Sequence, residues 1–300
     1  MKEIKLAIDW TPNINHIGFY VALEKKYYLS KNIDLKIISP SKDNYKLTPA
    51  KKIEKGLCDF GLCPTETLIS FRTKNKKFDL VALMSIFQKD VSAIAVSEKS
   101  KINRPKDLDN KTYASYGARY EDLIIKQLII NDGGKGKINV SYPKRLGVWD
   151  TVLKNKYDST WIFLNWEGIE KPDLKFFKME DYKIPYSYSP LVVTSKKFLN
   201  NTNPNIISDF IKMTKAGYIF SLKNIDESTE ILKKYIPENN KVNLKKSLEF
   251  SANYFGNDKN FGEIDLNIMS GFIDWLEDSK IEEKKIDIND LIYNVRIKSS

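Results

Sequence analysis

Segments typical of strands alternate with segments typical of helices along most of the chain, and this alternation constrains the fold more than any other feature. Ile4–Asp9 alternates charged and apolar residues, as a half-buried strand does. Leu80–Phe87 and Ser92–Val96 are mostly apolar, which is typical of strands buried on both faces. Because strands that alternate with helices pair through βαβ crossovers, the pattern predicts a parallel-rich α/β fold.

The remaining elements follow the same alternation and then change character. Further strands are predicted at Ile33–Ser39, Asp59–Leu62, Thr112–Ser115, Ile138–Tyr142, Ser159–Leu164 and Pro190–Thr194. Helices are predicted at Gly18–Leu29, from Thr48-Pro49, and at Pro64–Lys74, Tyr120–Asn131 and Gly147–Lys154. From Asn203 onward only helix patterns recur, at Ile206–Ser221, Glu227–Tyr235, Leu244–Tyr254 and Leu266–Leu276.

The domain organisation follows from where the strands fall. The two boundaries between α/β units carry strands in place of Gly/Ser linkers, so we predict two crossovers and a second unit inserted into the first. Lobe I would comprise residues 1–92 and 188–300, including a helical C-terminal tail, and lobe II residues 93–187. Ligands in such a layout bind between lobes, at the carboxyl ends of strands.

Composition excludes several classes of protein. The chain has 49 Lys and Arg against 39 Asp and Glu, for a net charge of +10. Only five of these basic residues are arginines, so we interpret the charge as a solvated surface and predict no nucleic-acid partner. One histidine and two cysteines predict no metal site of the zinc-finger type. The apolar runs are too short for a membrane span.

The amino terminus predicts the location of the protein. A strand begins almost at Met1, with no basic segment followed by an apolar one, so a cytoplasmic protein is expected. If a leader had been removed, a periplasmic or lipid-anchored protein with an ABC permease as partner would be expected instead.

Two runs place an aromatic residue beside a carboxylate at a strand end. Asp9-Trp10-Thr11-Pro12-Asn13 follows the first strand, and its indole offers a flat platform for a planar ligand. Asn165-Trp166-Glu167-Gly168 follows the strand that ends at Leu164, and a carboxylate there can accept from a ring amine. The alternatives are an indole packed on the neighbouring lobe and a glutamate paired with a surface lysine.

Three weaker candidates complete the predicted site. Ser115, Tyr116 and Gly117 join a strand to a helix, where backbone N–H groups could hold an anion with help from Arg119. Tyr186 and Tyr188 precede the return strand, either closing over a flat ligand or packing between lobes. Glu66 follows the third strand and faces either the cleft or solvent. No catalytic residue is assigned, since Cys63 lacks a plausible base.

Together these runs resemble the family that joins solute-binding proteins for thiamin-precursor pyrimidines with the fungal hydroxymethylpyrimidine phosphate synthases. The resemblance spans nearly the whole chain. It is carried by Asp9–Asn13 with His16, Asp59-Phe60-Gly61, Trp161–Phe163, Trp166–Glu170, Tyr186–Pro190, Phe272–Leu276 and Lys284–Asp287. It implies the periplasmic-binding-protein type II fold, with a 4-aminopyrimidine clamped between two α/β lobes, in thiamin biosynthesis or salvage. Trp10 and Tyr188 would then stack on the pyrimidine, Glu167 would accept from its amino group, and Asp9 would be a second polar contact.

Two departures from the family distinguish a binding protein from an enzyme. The synthases make the pyrimidine from pyridoxal phosphate and consume one of their own histidines, but Thr67 stands at that position here. Cys63 stands where the synthases carry the lysine for the pyridoxal aldehyde. The resemblance therefore favours a binding protein without a cofactor. The alternative is a pyridoxal-phosphate-dependent hydroxymethylpyrimidine phosphate synthase.

Overall fold

The chain divides into two compact units. The computed structural model describes residues 1–143, 154, 156–171, 173–238 and 240–293. Unit 1 comprises residues 1–90, 187–269 and 286–300, and unit 2 comprises residues 91–186 and 270–285. Residues 270–285 thus belong to unit 2, whereas the sequence assigned them to lobe I. The reason is Glu282, a buried carboxylate that accepts from the Tyr120 hydroxyl and pairs with Arg119 of unit 2.

Unit 1 is built on a five-stranded sheet. Its strands are β1 (Lys2–Ala7), β2 (Ile33–Ile38), β3 (Phe60–Cys63), β4 (Leu80–Ser85) and β10 (Leu191–Ser195), in the order β2-β1-β3-β10-β4. β1 pairs parallel with β2 and β3, whereas β10 runs antiparallel to β3 and β4. The sheet is therefore mixed. The chain returns to unit 1 at residue 187 and leads directly into β10, without the helical crossover that joins parallel strands.

Unit 2 repeats this arrangement. Its strands are β5 (Ser92–Ser97), β6 (Thr112–Ala114), β7 (Asn139–Ser141), β8 (Ser159–Phe163) and β9 (Leu174–Phe177), in the order β7-β6-β8-β5-β9. β6 pairs parallel with β7 and β8, and β5 runs antiparallel to β8 and β9. The strand β9 was not predicted from the sequence. The helix predicted at Gly147–Lys154 lies outside the described residues apart from its last residue.

The helices are α1 (Ile17–Glu24), α2 (Pro49–Glu54), α3 (Thr65–Thr73), α4 (Glu121–Asn131), α5 (Glu167–Glu170), α6 (Lys196–Asn200), α7 (Pro204–Lys223), α8 (Ile225–Lys233), α9 (Leu244–Phe255), α10 (Leu266–Asp278) and α11 (Ile288–Leu291). Most of them match predicted segments, and the C-terminal region is helical as expected. The short helices α5, α6 and α11 were not predicted, and α1 ends at Glu24, before the predicted Leu29. Thr48 caps α2 by accepting from the Lys51 N–H at 3.3 Å. Among the described residues, no helix combines the length and apolar character needed to cross a bilayer.

The helices α1 and α7 approach each other closely in unit 1. A Cβ added to Gly217 would lie 2.0 Å from the carbonyl oxygen of Gly18, closer than any real contact of that kind. One added to Gly18 would lie 2.1 Å from the Tyr218 ring. The absence of side chains at both glycines lets the Tyr218 hydroxyl donate to the Asn15 carbonyl at 2.5 Å. The helix α7 thereby fixes the loop that follows β1.

Candidate functional site

Carboxyl groups gather at the carboxyl ends of the parallel strands in unit 1. β1 and β3 pair in register Leu6 with Phe60 and Ala7 with Gly61, so the residues that follow them lie at one edge of the sheet. Burial raises the pKa of the Cys63 thiol at the end of β3, and the charges of Asp9 and Glu66 raise it further. Both predicted carboxylates therefore lie close to Cys63. A buried thiol in this environment is not a ready thiolate nucleophile.

Asp9 is oriented by the only histidine of the chain. The His16 side chain is fully buried, and its Nε2 lies 2.8 Å from Asp9 Oδ1. The backbone N–H of Asn13 donates to His16 Nδ1 at 3.2 Å. Because Nδ1 accepts, the proton of the neutral ring is on Nε2 and is donated to Asp9. Asp9 keeps 23% of its side chain exposed, so a fixed carboxylate reaches the surface of unit 1.

The other residues of the first motif are held within the loop. Trp10 is half-buried and meets Tyr45 edge-on, with ring centroids 5.4 Å apart. The hydroxyls of Tyr45 and Thr11 lie 2.6 Å apart. Asn13 Oδ1 accepts from the Asn15 N–H at 2.8 Å and caps the short helical turn Ile14–His16. Tyr45 was missed from the sequence, since nothing in its neighbours indicates that it meets Trp10. Ligand contact by Trp10 and Asn13 stays a prediction.

Glu66 and Tyr188 both lie next to the end of β3. Glu66 is buried in the first turn of α3. The Thr65 N–H donates to the Tyr188 carbonyl at 2.9 Å, which joins α3 to the segment before β10. Tyr188 is only 1% exposed, and its hydroxyl accepts from the Asp265 N–H at 2.8 Å. Burial raises the pKa of that hydroxyl. Stacking of Tyr188 on a ligand remains a prediction.

Two predicted segments of unit 2 lie side by side. β6 pairs parallel with β8, in register Tyr113 with Ser159 and Ala114 with Thr160. The residues that follow each strand therefore share one edge of the sheet. Burial raises the pKa of the Tyr116 hydroxyl well above its ordinary value, and the charge of Glu167 is the next largest cause. Tyr116 and Glu167, predicted from separate motifs, are thus brought together.

The carboxyl group of Glu167 has an unusual pKa. Burial raises its pKa from 4.5 to about 7, and the charge of Glu170 adds to the effect. Its Oε2 accepts from the Phe163 N–H at 2.9 Å, which opposes the rise. Within the described part of the chain, no side chain donates a hydrogen bond to this carboxyl. A carboxyl with such a pKa can either donate or accept a proton at neutral pH.

The neighbours of Glu167 are aromatic or buried. Trp166 is half-buried, and Asn165 is fully buried. The ring of Tyr186 lies 5.0 Å from that of Trp161 and 5.2 Å from that of Phe272, centroid to centroid. The predicted residue Tyr186 therefore belongs to an aromatic cluster of unit 2, and its contact with a ligand stays a prediction.

The loop after β6 is closed by two carboxylates that were not predicted from the sequence. Glu121 accepts from the N–H groups of Tyr116 at 3.0 Å and Ala118 at 3.3 Å. Ser115 Oγ accepts from the Gly117 N–H at 3.0 Å and donates to Asp122 at 2.8 Å. Acidic residues in the first turn of a predicted helix commonly satisfy the free N–H groups there, and this signal would have pointed to both.

Arg119, expected to assist at this loop, has a different partner. Its guanidinium lies 2.8 Å from Glu282, whose carboxylate is 2% exposed. The guanidinium also lies over the Tyr120 ring, 4.9 Å from its centroid. Arg119 therefore ties the segment 270–285 to the start of α4, which no local pattern in the sequence could indicate.

Comparison with known proteins gives a family match and two sequence relatives. The family model described as NMT1/THI5 like matches residues 13–228. The chain is 22% identical to the formylaminopyrimidine-binding protein of Halalkalibacterium halodurans, over 77% of this chain and 70% of that protein. It is also 22% identical to a Haemophilus influenzae protein named as a putative thiamine biosynthesis protein, over 84% of this chain and 81% of that protein.

Solved structures confirm the predicted fold. A Candida albicans protein described as having the generic periplasmic binding protein fold superposes with a TM-score of 0.74. The match covers 98% of this chain and 96% of that one, at 14% identity. The periplasmic-binding-protein fold, with two mixed α/β sheets and a helical C-terminal region, is therefore the fold of this chain.

Proposed function

The chain belongs to the NMT1/THI5-like family, and from this premise we propose that it binds a thiamin-precursor 4-aminopyrimidine. The ligand would be of the formylaminopyrimidine or hydroxymethylpyrimidine type, and the role would lie in thiamin biosynthesis or salvage. A relative that shares 22% identity over 240 residues is a formylaminopyrimidine-binding protein, which supports this ligand class.

The observation that carries the proposal is the desolvated carboxyl of Glu167. A 4-aminopyrimidine presents an exocyclic N–H donor beside a ring-nitrogen acceptor. A carboxyl group matches both when one of its oxygens accepts from the amine and the other shares a proton with the ring nitrogen. Because burial raises the pKa of Glu167 to about 7, the proton for this pairing is available near neutral pH. Since no described side chain donates to this carboxyl, a ligand can take that place.

The charge at the strand ends also favours a ligand that donates hydrogen bonds. Asp9 and Glu66 in unit 1 and Glu167 in unit 2 are all acidic, although the whole chain carries +10. Carboxylates attract amines and protonated rings, and they repel anions. The net positive charge of the whole chain therefore does not describe these strand ends.

Trp10 and Tyr186 are the aromatic candidates for contact with the ring. Each is half-buried. A flat, electron-poor ring stacks favourably on such side chains, at about 0.5–1.5 kcal/mol beyond the burial of area. Asp9, fixed by His16, would supply a second polar contact.

Calorimetric titration tests the proposal with formylaminopyrimidine and hydroxymethylpyrimidine as ligands. The parent protein should bind at least one of them with one-to-one stoichiometry. Glu167→Gln should weaken binding roughly tenfold to hundredfold, because loss of one partner of a buried hydrogen bond costs about 1–3 kcal/mol. Asp9→Asn tests unit 1 separately, with a smaller loss expected.

The matched control is Glu180→Gln, which removes an exposed carboxylate of the same unit and should leave affinity unchanged. If the parent gives no heat with either pyrimidine, the proposed ligand class is wrong. If Glu167→Gln binds as tightly as the parent, the assignment of Glu167 is wrong although the ligand class stands.

Binding without turnover separates this proposal from the synthase alternative. After incubation, mass spectrometry should recover the pyrimidine unchanged. Incubation with pyridoxal phosphate should produce no imine absorbance, because Cys63 and Thr67 occupy the synthase lysine and histidine positions. Formation of an imine at a single lysine would instead favour the synthase.

A further inference from the structure

The segment that follows β2 lies beside the loop that follows β1 in unit 1. The two strands pair parallel, in register over all six residues of each. The Ile8 N–H donates to the Ile38 carbonyl at 3.1 Å, so the pairing extends one residue past the end of β1. Residues 39–48 and the run that begins at Asp9 therefore leave the sheet side by side, at its carboxyl edge.

Tyr45 joins these two segments through its side chain. Its ring lies 5.4 Å from the Trp10 ring, centroid to centroid, with an angle of 62° between the two planes. Its hydroxyl oxygen lies 2.6 Å from Thr11 Oγ1. Tyr45 and Trp10 are both half-buried. One side chain thus contacts two consecutive residues of the run Asp9–Asn13, and these contacts restrict how the indole can turn.

The backbone at Tyr45 is unfavourable for an aromatic residue. The φ angle is 53° at Asn44 and 61° at Tyr45, which places both residues in the left-handed region. Asparagine adopts this conformation readily, whereas a bulky residue rarely does. A turn that needed only this backbone would be served better by glycine or asparagine at position 45. What Tyr45 contributes is therefore its phenol ring, with the contacts to Trp10 and Thr11.

The segment that carries Tyr45 is itself anchored. Two residues earlier, Asp43 forms an ion pair with Lys52 of α2, at 3.2 Å. The side chain of Lys52 is 5% exposed, so water has little access to the lysine side of the pair. The Tyr45 N–H donates to the Pro40 carbonyl at 2.9 Å, which closes the turn. Because the backbone on which it stands is fixed, the Tyr45 ring can hold a neighbouring side chain in place.

We propose that Tyr45 is a positioning residue that holds the Trp10 indole in the orientation required to stack on the ligand. The identity of the ligand rests on the proposed function, whereas the hold of Tyr45 on Trp10 rests on unit 1 alone. Stacking depends on the relative orientation of two rings, and an indole fixed in advance loses less side-chain entropy on binding. The adjacent residues Asp9 and Trp10 thus have separate supports, His16 for the carboxylate and Tyr45 for the indole.

Fluorine NMR tests this hold without any ligand. The chain has five tryptophans, and incorporation of 5-fluorotryptophan gives each of them a resonance. The Trp10 resonance is assigned as the one that disappears in Trp10→Phe. In Tyr45→Asn this resonance should shift. The melting temperature should stay within about 3 °C of the parent, because asparagine suits the left-handed backbone and offsets the lost ring contact. An unchanged Trp10 resonance would overturn the proposal.

The matched control is Lys26→Asn. Lys26 is exposed and also has a left-handed backbone in unit 1, with a φ of 59°. This substitution should leave the Trp10 resonance where it is, so that a shift in Tyr45→Asn reports loss of the phenol. An equal shift in both variants would contradict the proposal. Tyr45→Phe keeps the ring and loses the hydroxyl beside Thr11, so it should shift the same resonance by less.

Calorimetric titration with the two pyrimidines separates positioning from direct contact. Tyr45→Asn should weaken binding about threefold to tenfold, and Trp10→Ala about tenfold or more. The double variant should bind no more weakly than Trp10→Ala, because Tyr45 acts through Trp10.

Two results of this titration would overturn the proposal. Additive losses in the double variant would mean that Tyr45 contacts the ligand itself. Binding of Tyr45→Asn as tight as that of the parent would mean that the orientation of Trp10 does not matter. If the parent binds neither pyrimidine, the proposed function fails, and the fluorine spectra still decide whether Tyr45 orients Trp10.

Discussion

Two loops follow topologically equivalent strands of the two units, but one is held by a residue distant in the chain and the other by a residue close to it. Loop 1 (residues 9–16) follows β1 and loop 2 (residues 115–120) follows β6. Each of these strands is second in its sheet, with a parallel neighbour on both sides. Loop 1 is held by Tyr218, which is 203 residues away from Asn15. Loop 2 is held by Glu121, in the helix that the loop itself begins.

The difference determines which carboxylate remains available to a ligand. In loop 1 a buried imidazole fixes Asp9 and leaves 23% of its side chain exposed. In loop 2 the carboxylate of Glu121 already accepts hydrogen bonds from the N–H groups of the loop. The acid of unit 2 that we propose for ligand binding is therefore Glu167, which follows the adjacent strand β8. Equivalent topology thus places the acid that we propose for ligand binding on different strands of the two sheets.

The largest expected effect comes from breaking the long-range support of loop 1. Gly217→Ala would drive a Cβ to 2.0 Å from the Gly18 carbonyl and force α1 and α7 apart. We expect a loss of about 3 kcal/mol in the free energy of unfolding, measured by urea denaturation. Affinity for the pyrimidine should fall as well, because Tyr218 no longer reaches Asn15.

Gly271→Ala provides the comparison variant for that substitution. Gly271 lies in α10, and an added Cβ would meet no atom within 4 Å. Gly271→Ala should raise the free energy of unfolding by about 0.5–1 kcal/mol, since alanine is the better helix former. Equal destabilisation by both variants would show that close approach of α1 and α7 is not what matters.

A second test concerns the pH dependence that Glu167 confers on unit 2. Its pKa in the folded protein is about 7 against an ordinary 4.5, so the folded state holds an extra proton between these values. The stabilisation from that proton is complete below about pH 4.5 and is lost as the pH rises through 7. Since a tenfold change in proton affinity corresponds to about 1.4 kcal/mol, the loss is at most about 3 kcal/mol.

The measurement compares urea denaturation of the parent and Glu167→Gln from pH 4.5 to pH 8. Stability of the parent relative to the variant should decline across this range. Glu121 titrates in the same direction because burial raises its pKa too, and taking the difference between the two proteins removes that contribution. Glu170 and the Tyr116 hydroxyl interact with Glu167 and are retained in both proteins. A difference that is constant with pH would contradict the raised pKa.

The smallest effect isolates the hydrogen bond from Tyr218 to loop 1. Tyr218→Phe removes the donor to the Asn15 carbonyl and should cost about 1–2 kcal/mol. Amide hydrogen exchange at residues 13–16 should accelerate, while exchange in loop 2 stays unchanged.

Tyr28→Phe is the control for this variant. Its hydroxyl lies 2.8 Å from Thr214 Oγ1 on the same helix α7, but it makes no bond to loop 1. It should reduce stability by about 1 kcal/mol without changing exchange at residues 13–16. Faster exchange in both variants would mean that loop 1 responds to general loss of stability and not to Tyr218.

Much of the architecture could be predicted from local patterns. The strands β1 and β3 and the helices α2 and α4 lie within a few residues of their predicted bounds, because alternation and capping residues act over one or two turns. β9 was missed, since a four-residue strand carries almost no periodicity. The antiparallel pairing of β5 and β10 was also missed, because strand direction depends on how the chain enters each unit.

The candidate site divides in the same way. Strand-end acids such as Asp9 and Glu167 were evident from the sequence, because they directly follow apolar runs. The hydrogen bonds from the loop 2 N–H groups to Glu121 were accessible in principle, since Tyr116 is five residues from Glu121 and Ala118 is three. The raised pKa of Glu167 was not accessible, because it arises from burial, which depends on how the folded chain packs.

The sequence by itself determined which elements form and which polar groups stand at their ends, since propensity, alternation and capping depend on near neighbours. Tertiary structure alone decided which of those groups remain available. Tyr218 reaches loop 1 only because Gly18 and Gly217 allow α1 and α7 to touch. Arg119 pairs with Glu282, which lies in the segment 270–285 that the sequence pattern had assigned to lobe I. Burial and pairing depend on which surfaces meet, and that is settled only when the whole chain has packed.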